Sequence, residues 1–185
     1  MNICIFEDFF ISNLAPINYL RHTSELICGA VTIKDKIEFY FKPKSVTLYS
    51  RNYLAFHLRE KFRGYRVNNL PKDKCLFLSS RALFNKELAK KISSRTKPAI
   101  WSKEGTILAI YADGKILEQV NHIFSEKAVD INDFNIIKID SIEVKDKVKI
   151  IEYPSDIILF TDDELNNDIK LILKSKNNLH ISQKC

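Results

Sequence analysis

The sequence of 185 residues is poor in glycine, with only four residues of this type. Phosphate-binding loops are usually built from glycine, so this scarcity argues against a conventional glycine-rich loop. The four cysteines, Cys4, Cys28, Cys75 and Cys185, form no CxxC pair, which argues against a zinc site or a thioredoxin-like motif. The chain has no apolar run of membrane-spanning length and no basic-then-apolar signal peptide at its start. We therefore expect a cytoplasmic protein without a membrane partner.

The composition is that of an ordinary globular domain, with 45% hydrophobic and 28% charged residues. The formal net charge of +6 suits an anionic partner, or simply a solvated lysine-rich surface. The densest basic run, "RNYLAFHLREKFRGYR" at 51–66, has aromatic residues between its cations, as nucleic-acid-binding segments often do. The same run places Leu54, Leu58 and Phe62 at helical spacing. We favour an amphipathic surface helix, and nucleic acid is the disfavoured partner.

The first half of the chain alternates between strand and helix patterns. Short apolar runs predict strands at 2–6, 45–49 and 74–79, and periodic apolar residues predict helices at 24–41, 52–62 and 85–93, the first with Ser24 as its cap. This alternation favours an α/β domain with a largely parallel sheet.

The second half departs from that alternation. Two apolar runs around Lys103-Glu104-Gly105 predict an antiparallel hairpin. A helix is expected at 113–125, and further strands at 135–140 and 148–153, paired with each other or as another hairpin. The last helical pattern follows Pro154, with Thr161 as a possible cap. We expect a single domain over residues 1–175 and a polar tail at 176–185.

Three blocks of sequence resemble a group of bacterial sugar nucleotidyltransferases related to the bifunctional N-acetylglucosamine-1-phosphate uridylyltransferase. The blocks keep their order along most of the chain. The matching residues are Glu7, Asp8, Leu14, Pro16, Arg21, Glu25, Leu26, Gly29, Thr32, Ile33 and Lys36 in the first block, Arg81 in "CLFLSSRALFNKELAKKI", and Tyr153, Pro154 and Asp156 in "YPSDIILFTDDELNNDIKLI". The resemblance implies a Rossmann-like three-layer sandwich. It also implies a reaction that joins a nucleoside triphosphate to a sugar 1-phosphate and releases pyrophosphate, with Mg²⁺ as cofactor.

Candidate site residues follow from this resemblance and from the ends of the predicted strands. Glu7 and Asp8 end the first strand and are predicted to bind Mg²⁺, although a polar strand terminus that starts a turn is the alternative. Arg21 is predicted to bind phosphate and to be oriented by Glu25, unless the two form only a local ion pair.

The remaining candidates come from later positions. Lys36 is included as catalytic, together with Arg21 and Glu25, because the family has a lysine there, although its place in the helix predicts a solvent-facing side chain. Arg81 is predicted to bind the substrate phosphates, with a surface role as the alternative. Ser79 and Ser80 end the third predicted strand and complete the predicted substrate-binding set.

The sequence also departs from the catalytic signatures of well-characterised sugar nucleotidyltransferases, to which this resemblance leads. The pattern LxxGxGTRLxPLT is absent, since no glycine precedes Gly29, and the lysine of KPLLPV has no counterpart near Ser24 and Glu25. Ser79 and Ser80 stand where the family has a metal-binding aspartate. We therefore keep two alternatives to a transferase that binds nucleotide and sugar phosphate. One is a degenerate relative that binds a protein partner or a second copy of itself, and the other is a basic nucleic-acid-binding domain.

Overall fold

The computed structural model describes residues 1–126, 128–145 and 147–176. Nine strands are β1 (Asn2–Phe6), β2 (Ser45–Tyr49), β3 (Arg66–Val67), β4 (Cys75–Ser79), β5 (Ala82–Leu83), β6 (Ala99–Lys103), β7 (Thr106–Ala112), β8 (Asp140–Glu143) and β9 (Lys149–Ile150) within this part of the chain. Its α-helices are α1 (Ile33–Phe41), α2 (Ala55–Lys61), α3 (Lys86–Ser93), α4 (Gly114–Glu126) and α5 (Pro154–Lys176). Short 3-10 helices cover Phe9–Leu14, Thr23–Glu25, Asn52–Leu54 and Ile131–Ile136.

Seven strands form one sheet in the order β3-β2-β1-β4-β7-β6-β8. β1 lies parallel to β2 and β4, β2 is parallel to β3, and β6 is parallel to β8. Only β7 runs against its neighbours β4 and β6 in this sheet. The predicted α/β class, with a mainly parallel sheet and an antiparallel hairpin, is therefore confirmed. A second, antiparallel pair joins β5 and β9.

Both faces of the large sheet are covered, which produces three layers. Along β1, Ile3 and Ile5 belong to one core cluster, and Cys4 and Phe6 belong to the other. Successive side chains of a strand point to opposite faces, so the uninterrupted apolar run of β1 is what a doubly covered strand requires. Helices α1 and α3 pack on the first face, and α4 packs on the second.

The first predicted helix is shorter than its apolar pattern suggested. Only Ile33–Phe41 is α-helical, and Thr32 rather than Ser24 caps it. The Thr32 side chain accepts from the Asp35 backbone N–H at 3.1 Å, and the Asp35 carboxylate accepts from the Thr32 N–H at 3.3 Å. Gly29, with a φ of 94°, interrupts the helical pattern in a conformation that other residues rarely adopt.

The last third of the chain shows three further differences from the predictions. Thr161 lies inside α5, where its hydroxyl donates to the Ile157 carbonyl, so it is not a cap. The segment predicted as a strand at 135–140 is largely a 3-10 helix and its exit, and β8 begins only at Asp140. β8 and β9 do not pair with each other, because β8 extends the large sheet and β9 pairs with β5.

The predicted polar tail lies beyond the described residues from position 177 onward. Within the described ranges, no helix is both long and apolar enough to cross a membrane.

Candidate functional site

A cavity of about 250 Å³ opens at the carboxyl ends of β1 and β2. Ligands of open α/β sheets bind at this edge, where the loops after parallel strands meet. The cavity is lined by Glu7, Asp8, Ile11, Tyr49, Ser50, Arg51, Asn52, Phe124, Ser125, Glu126 and Ala128. The lining combines charged, aromatic and amide groups, so this cavity is the candidate functional site.

Glu7, the first residue after β1, is buried and held by Arg51 and Thr23. Its Oε1 accepts from the Thr23 backbone N–H and hydroxyl, both at 2.9 Å, and from Arg51 Nη2 at 3.1 Å. Its Oε2 accepts from Arg51 Nε at 3.1 Å and from the Arg51 backbone N–H at 3.3 Å. Sequence reasoning did not select Arg51 as a site residue. Its position two residues after a predicted parallel strand is the signal that could have identified it.

The polar turn around Thr23 is fixed by the buried ring of His22. The Ser24 backbone N–H points at His22 Nδ1 from 3.2 Å, so Nδ1 accepts and the ring proton sits on Nε2. Nε2 then donates to the Tyr49 carbonyl at 3.2 Å, and the Ser24 hydroxyl donates to Nδ1 at 2.8 Å. The turn that presents Thr23 to Glu7 is therefore tied to the end of β2.

Glu25 contacts this turn and Lys61, and not the side chain of Arg21. One Glu25 oxygen accepts from the His22 backbone N–H at 2.9 Å, and the other pairs with Lys61 Nζ. Among the described residues no ion pair joins Glu25 to Arg21, so Glu25 does not orient that arginine. The Arg21 side chain is exposed, and its carbonyl accepts from Arg51 Nη2 at 2.9 Å. Phosphate binding by Arg21 remains a prediction.

Asp8 forms a buried ion pair with Arg81, which is only 1% exposed and so does not have the surface role considered from the sequence. Arg81 donates from Nε to both Asp8 oxygens, at 2.9 and 3.1 Å, and from Nη2 to Oδ2 at 2.6 Å. Arg81 Nη1 also donates to the Ile151 carbonyl at 3.2 Å. Asp8 caps the 3-10 helix Phe9–Leu14, which follows β1.

The two neighbouring carboxylates differ in their electrostatics. Burial raises the pKa of Glu7, but the charge and hydrogen bonds of Arg51 and the hydrogen bond from the Thr23 backbone outweigh it, so the pKa lies below its ordinary value. Burial raises the pKa of Asp8 above its ordinary value, and the hydrogen bonds and charge of Arg81 offset only part of that shift. Glu7 is therefore the more firmly ionised of the pair.

Ser79 and Ser80 are both buried at the end of β4. The Ser79 hydroxyl accepts from the Arg81 backbone N–H at 3.3 Å, whereas the Ser80 hydroxyl has no partner within the described chain. A second cavity, of about 470 Å³, lies beside them and is bordered by Arg81, Phe10, Asn13, Glu104, Gly105, Thr106, Asp130, Ile131, Asn132, Glu152 and Tyr153. Asp8 borders the first cavity and Arg81 the second, so their ion pair stands between the two.

Lys36 is not solvent-facing, which corrects the expectation from its helical position. Its side chain is 2% exposed, and Nζ lies 2.7 Å from Glu164 Oε2 and 2.7 Å from Asp168 Oδ1, the second contact falling outside hydrogen-bond angles. Asp168 Oδ2 accepts from the Ala30 backbone N–H at 2.8 Å. Lys36 borders neither of the two cavities just described. It joins α1 to α5, and its predicted catalytic role stays a prediction without a contact to the site.

The predicted Mg²⁺ ligands, Glu7 and Asp8, fit a metal poorly in this arrangement. Each carboxylate already faces an arginine, and Mg²⁺ requires free oxygen ligands in near-octahedral order. No group of three or more His, Cys, Asp or Glu side chains in the described ranges is placed to hold a metal ion. Metal binding by Glu7 and Asp8 therefore remains a prediction, and it requires the arginines to move away.

The three-layer architecture, with its mostly parallel sheet, is that of a nucleotidyltransferase-like α/β domain. A family model described as sugar nucleotidyl transferase matches residues 3–177, and the chain belongs to this family. No curated protein sequence matches it significantly.

Two solved structures share the fold. One is a Bacillus anthracis protein assigned as a glucose-1-phosphate thymidylyltransferase, in complex with sucrose. It has a TM-score of 0.59 and 10% identity, over 89% of this chain and 94% of that one. The other is a homologue, from Mycobacterium sp. strain JC1, of Mycobacterium tuberculosis rv0371c. It has a TM-score of 0.53 and 9% identity, over 92% and 97% of the two chains. At these identities the likeness concerns the fold.

Proposed function

We propose that this chain is a sugar-1-phosphate nucleotidyltransferase-like domain that binds a nucleotide and a sugar phosphate. The observation that carries the proposal is the pair of cavities at the carboxyl ends of β1, β2 and β4, separated by the Asp8–Arg81 ion pair. Two adjacent cavities suit two substrates that must meet. The order of the three sequence blocks further supports kinship with the bifunctional N-acetylglucosamine-1-phosphate uridylyltransferase.

The cavity beside Arg51 is the proposed nucleotide site, because it has a guanidinium for phosphate and the half-buried ring of Tyr49 for a base. The cavity beside Arg81 is the proposed sugar-phosphate site, with the buried Ser79 and Ser80 behind it. Exposed Arg21 is free to add a phosphate contact. Mg²⁺, when bound, would neutralise phosphate charge during nucleotidyl transfer.

A second candidate is a degenerate relative that binds without transferring. The observation in its favour is that Glu7 and Asp8 each form an ion pair with an arginine, and that the 3-10 helix Phe9–Leu14 stands in place of a glycine-rich loop. Such a domain would serve through a protein partner or a second copy of itself. The two candidates share the nucleotide cavity and differ in metal dependence.

Thermal unfolding with a panel of nucleoside triphosphates, nucleotide sugars and sugar phosphates tests ligand binding in the nucleotide cavity, which both candidates share. A ligand at about 100 times its dissociation constant stabilises by about 2.7 kcal/mol, or about 5–10 °C for a chain of this size. Ala128→Phe, which fills the cavity from an exposed position, should abolish the shift. Ser93→Phe, at the exposed end of α3, is the matched control. A shift that survives Ala128→Phe would contradict the assigned cavity.

The same panel with Mg²⁺ or a chelator separates the two candidates. A Mg²⁺-dependent shift together with pyrophosphate release supports the transferase. A metal-independent shift without pyrophosphate release supports the degenerate relative. If no member of the panel shifts the transition, the nucleotide proposal fails. A single cooperative transition would also support one domain over residues 1–175.

A further inference from the structure

Arginine is concentrated in one part of this molecule. The chain contains 22 lysines and only seven arginines. Five of the arginines lie between positions 21 and 66, namely Arg21, Arg51, Arg59, Arg63 and Arg66. The other two, Arg81 and Arg95, are paired with Asp8 and Asp140. Because lysine is the ordinary cation of this protein, the use of arginine here calls for a chemical reason.

Four of these arginines are exposed. Arg21, Arg59, Arg63 and Arg66 lie on the surface and form no ion pair with any residue the structure describes. Arg51 retains 21% exposure of its side chain beside Glu7. The exposed Glu60 is the one acidic residue in the run from 51 to 66, so the surface stays strongly positive.

Aromatic rings are exposed among these cations. Phe56 is 74% exposed and Tyr53 is 63% exposed. The core contacts of this segment are made instead by Leu54, in the turn before α2, and by Leu58, in α2. Arg59 follows Phe56 by three residues in α2, so the two share one face of the helix. The rings are therefore presented to solvent by a helix that is already anchored.

Hydrogen bonds join the segment around Arg21 to this helix. Arg51 Nη1 donates to the Tyr53 hydroxyl at 2.7 Å, and Arg51 Nη2 donates to the Arg21 carbonyl at 2.9 Å. The Tyr53 hydroxyl donates to the Tyr19 carbonyl at 3.1 Å. These joined segments carry Arg21, Arg51, Tyr53, Phe56, Arg59 and Arg63, and this set of residues is here named the arginine surface.

We propose that the arginine surface binds single-stranded nucleic acid. Arg21, Arg59 and Arg63 would contact phosphates through their planar forks, and bases would stack on Phe56 and Tyr53. The sequence could not decide this, because helical spacing and aromatic–basic alternation coincide in residues 51–66. An anionic membrane surface would be served equally by lysine, so the preference for arginine favours nucleic acid. This proposal does not require the nucleotide cavity, although Arg51 borders that cavity and Arg21 is a proposed phosphate contact of both sites.

Fluorescence anisotropy with labelled twelve-nucleotide oligo(U) and oligo(dT) tests it on the whole chain. Three phosphate contacts correspond to a salt slope of about −2, so affinity should fall about 20-fold between 50 and 200 mM salt. An excess of uridine monophosphate distinguishes this surface from the cavity. It should leave the oligonucleotide largely bound through Arg59, Arg63 and Phe56, whereas it would fully displace one seated in the cavity beside Arg51 and Tyr49.

Variants locate the contact. Arg59→Ala with Arg63→Ala should weaken binding and make the salt slope shallower by about 1.4. Phe56→Ala should weaken binding about tenfold through lost stacking. Lys90→Ala with Lys97→Ala removes the same charge from exposed positions on and after α3, and should leave the slope nearly unchanged.

Four outcomes of the oligonucleotide experiments would overturn the proposal. They are no binding at 50 mM salt, full displacement by the monophosphate, equal losses in the Lys90/Lys97 control, and unaltered affinity in Phe56→Ala. Vesicles of phosphatidylglycerol and phosphatidylcholine form a parallel arm. Binding to these vesicles without binding to oligonucleotide would assign the surface to a membrane and also overturn the proposal.

Discussion

Lys36 offers the sharpest test of how the structure assigns its buried charges. The ammonium group is enclosed by Glu164 and Asp168, and replacing it with methionine keeps most of the side-chain volume while removing the charge. Asp168, at 1% side-chain exposure, would then lose its cation, and Glu164, at 10%, would keep only Lys149 Nζ at 3.7 Å. The change therefore isolates the electrostatic contribution from the packing.

Removing one partner of a buried ion pair typically costs about 3–5 kcal/mol, because the remaining charge stays desolvated. For a chain of this size the loss corresponds to a fall in Tm of about 6–20 °C. Urea unfolding followed by circular dichroism measures it directly. Adding Glu164→Gln to Lys36→Met should recover part of the loss, because it removes one of the two neighbouring carboxylates that Lys36 had paired with.

Lys90→Met, on the exposed face of α3, is the matched control and should change stability by less than about 0.5 kcal/mol. If Lys36→Met were as mild as this control, the side chain would be solvent-facing, as its helical position alone suggests, and the burial argument would be refuted. If nucleotide-induced stabilisation vanished in a still-folded Lys36→Met, the lysine would belong to the site after all.

Three further predictions concern other buried groups. Gly29→Ala should lower stability by about 2 kcal/mol or more in urea unfolding, because its Cβ would lie 2.5 Å from Asp168 Oδ2 at a φ of 94°; an unchanged midpoint would contradict the close approach. The lowered pKa of Glu7 means that its stabilising contribution is present above about pH 4.5 and is lost as pH falls through its folded value. The stability difference between Glu7→Gln and the parent should therefore shrink as pH falls below about 4.5, and a constant difference would refute the assignment. Burial raises the pKa of Cys75 to about 12 and that of Cys4 upward, so in a Cys185→Ser background neither thiol should react with a disulfide reagent at pH 8 until the chain is unfolded.

Much of the fold could be predicted because its signals are local. The apolar runs of β1, β2 and β4 and the periodicity of α3 and α4 are legible within each segment. The error over 24–41 arose because the apolar pattern continues through Gly29, whose backbone conformation is set by the approach of Asp168 from α5. A partner so distant along the chain leaves no mark in the local pattern.

The site was predictable in position but not in its pairing. The strand-end rule found Glu7 and Asp8, yet their arginines stand 44 and 73 residues further along the chain. The local pattern places Arg51 only in a basic helical segment, and it does not decide whether Arg81 binds substrate or lies on the surface. Which cation meets which carboxylate depends on strand order, because β2 and β4 both flank β1. That order is a tertiary property.

The residues that carry the family resemblance largely hold the fold together. Asp8 and Arg81 form a buried pair, and Asp156 accepts from the Glu152 and Tyr153 backbone N–H groups, both at 2.8 Å, at the start of α5. Lys36 ties α5 back to α1. A chain can keep all of these residues for stability while its catalytic glycines and metal carboxylate are lost. Family membership therefore establishes the architecture of this protein and not its chemistry. Metal dependence is the property that distinguishes the transferase from its degenerate alternative.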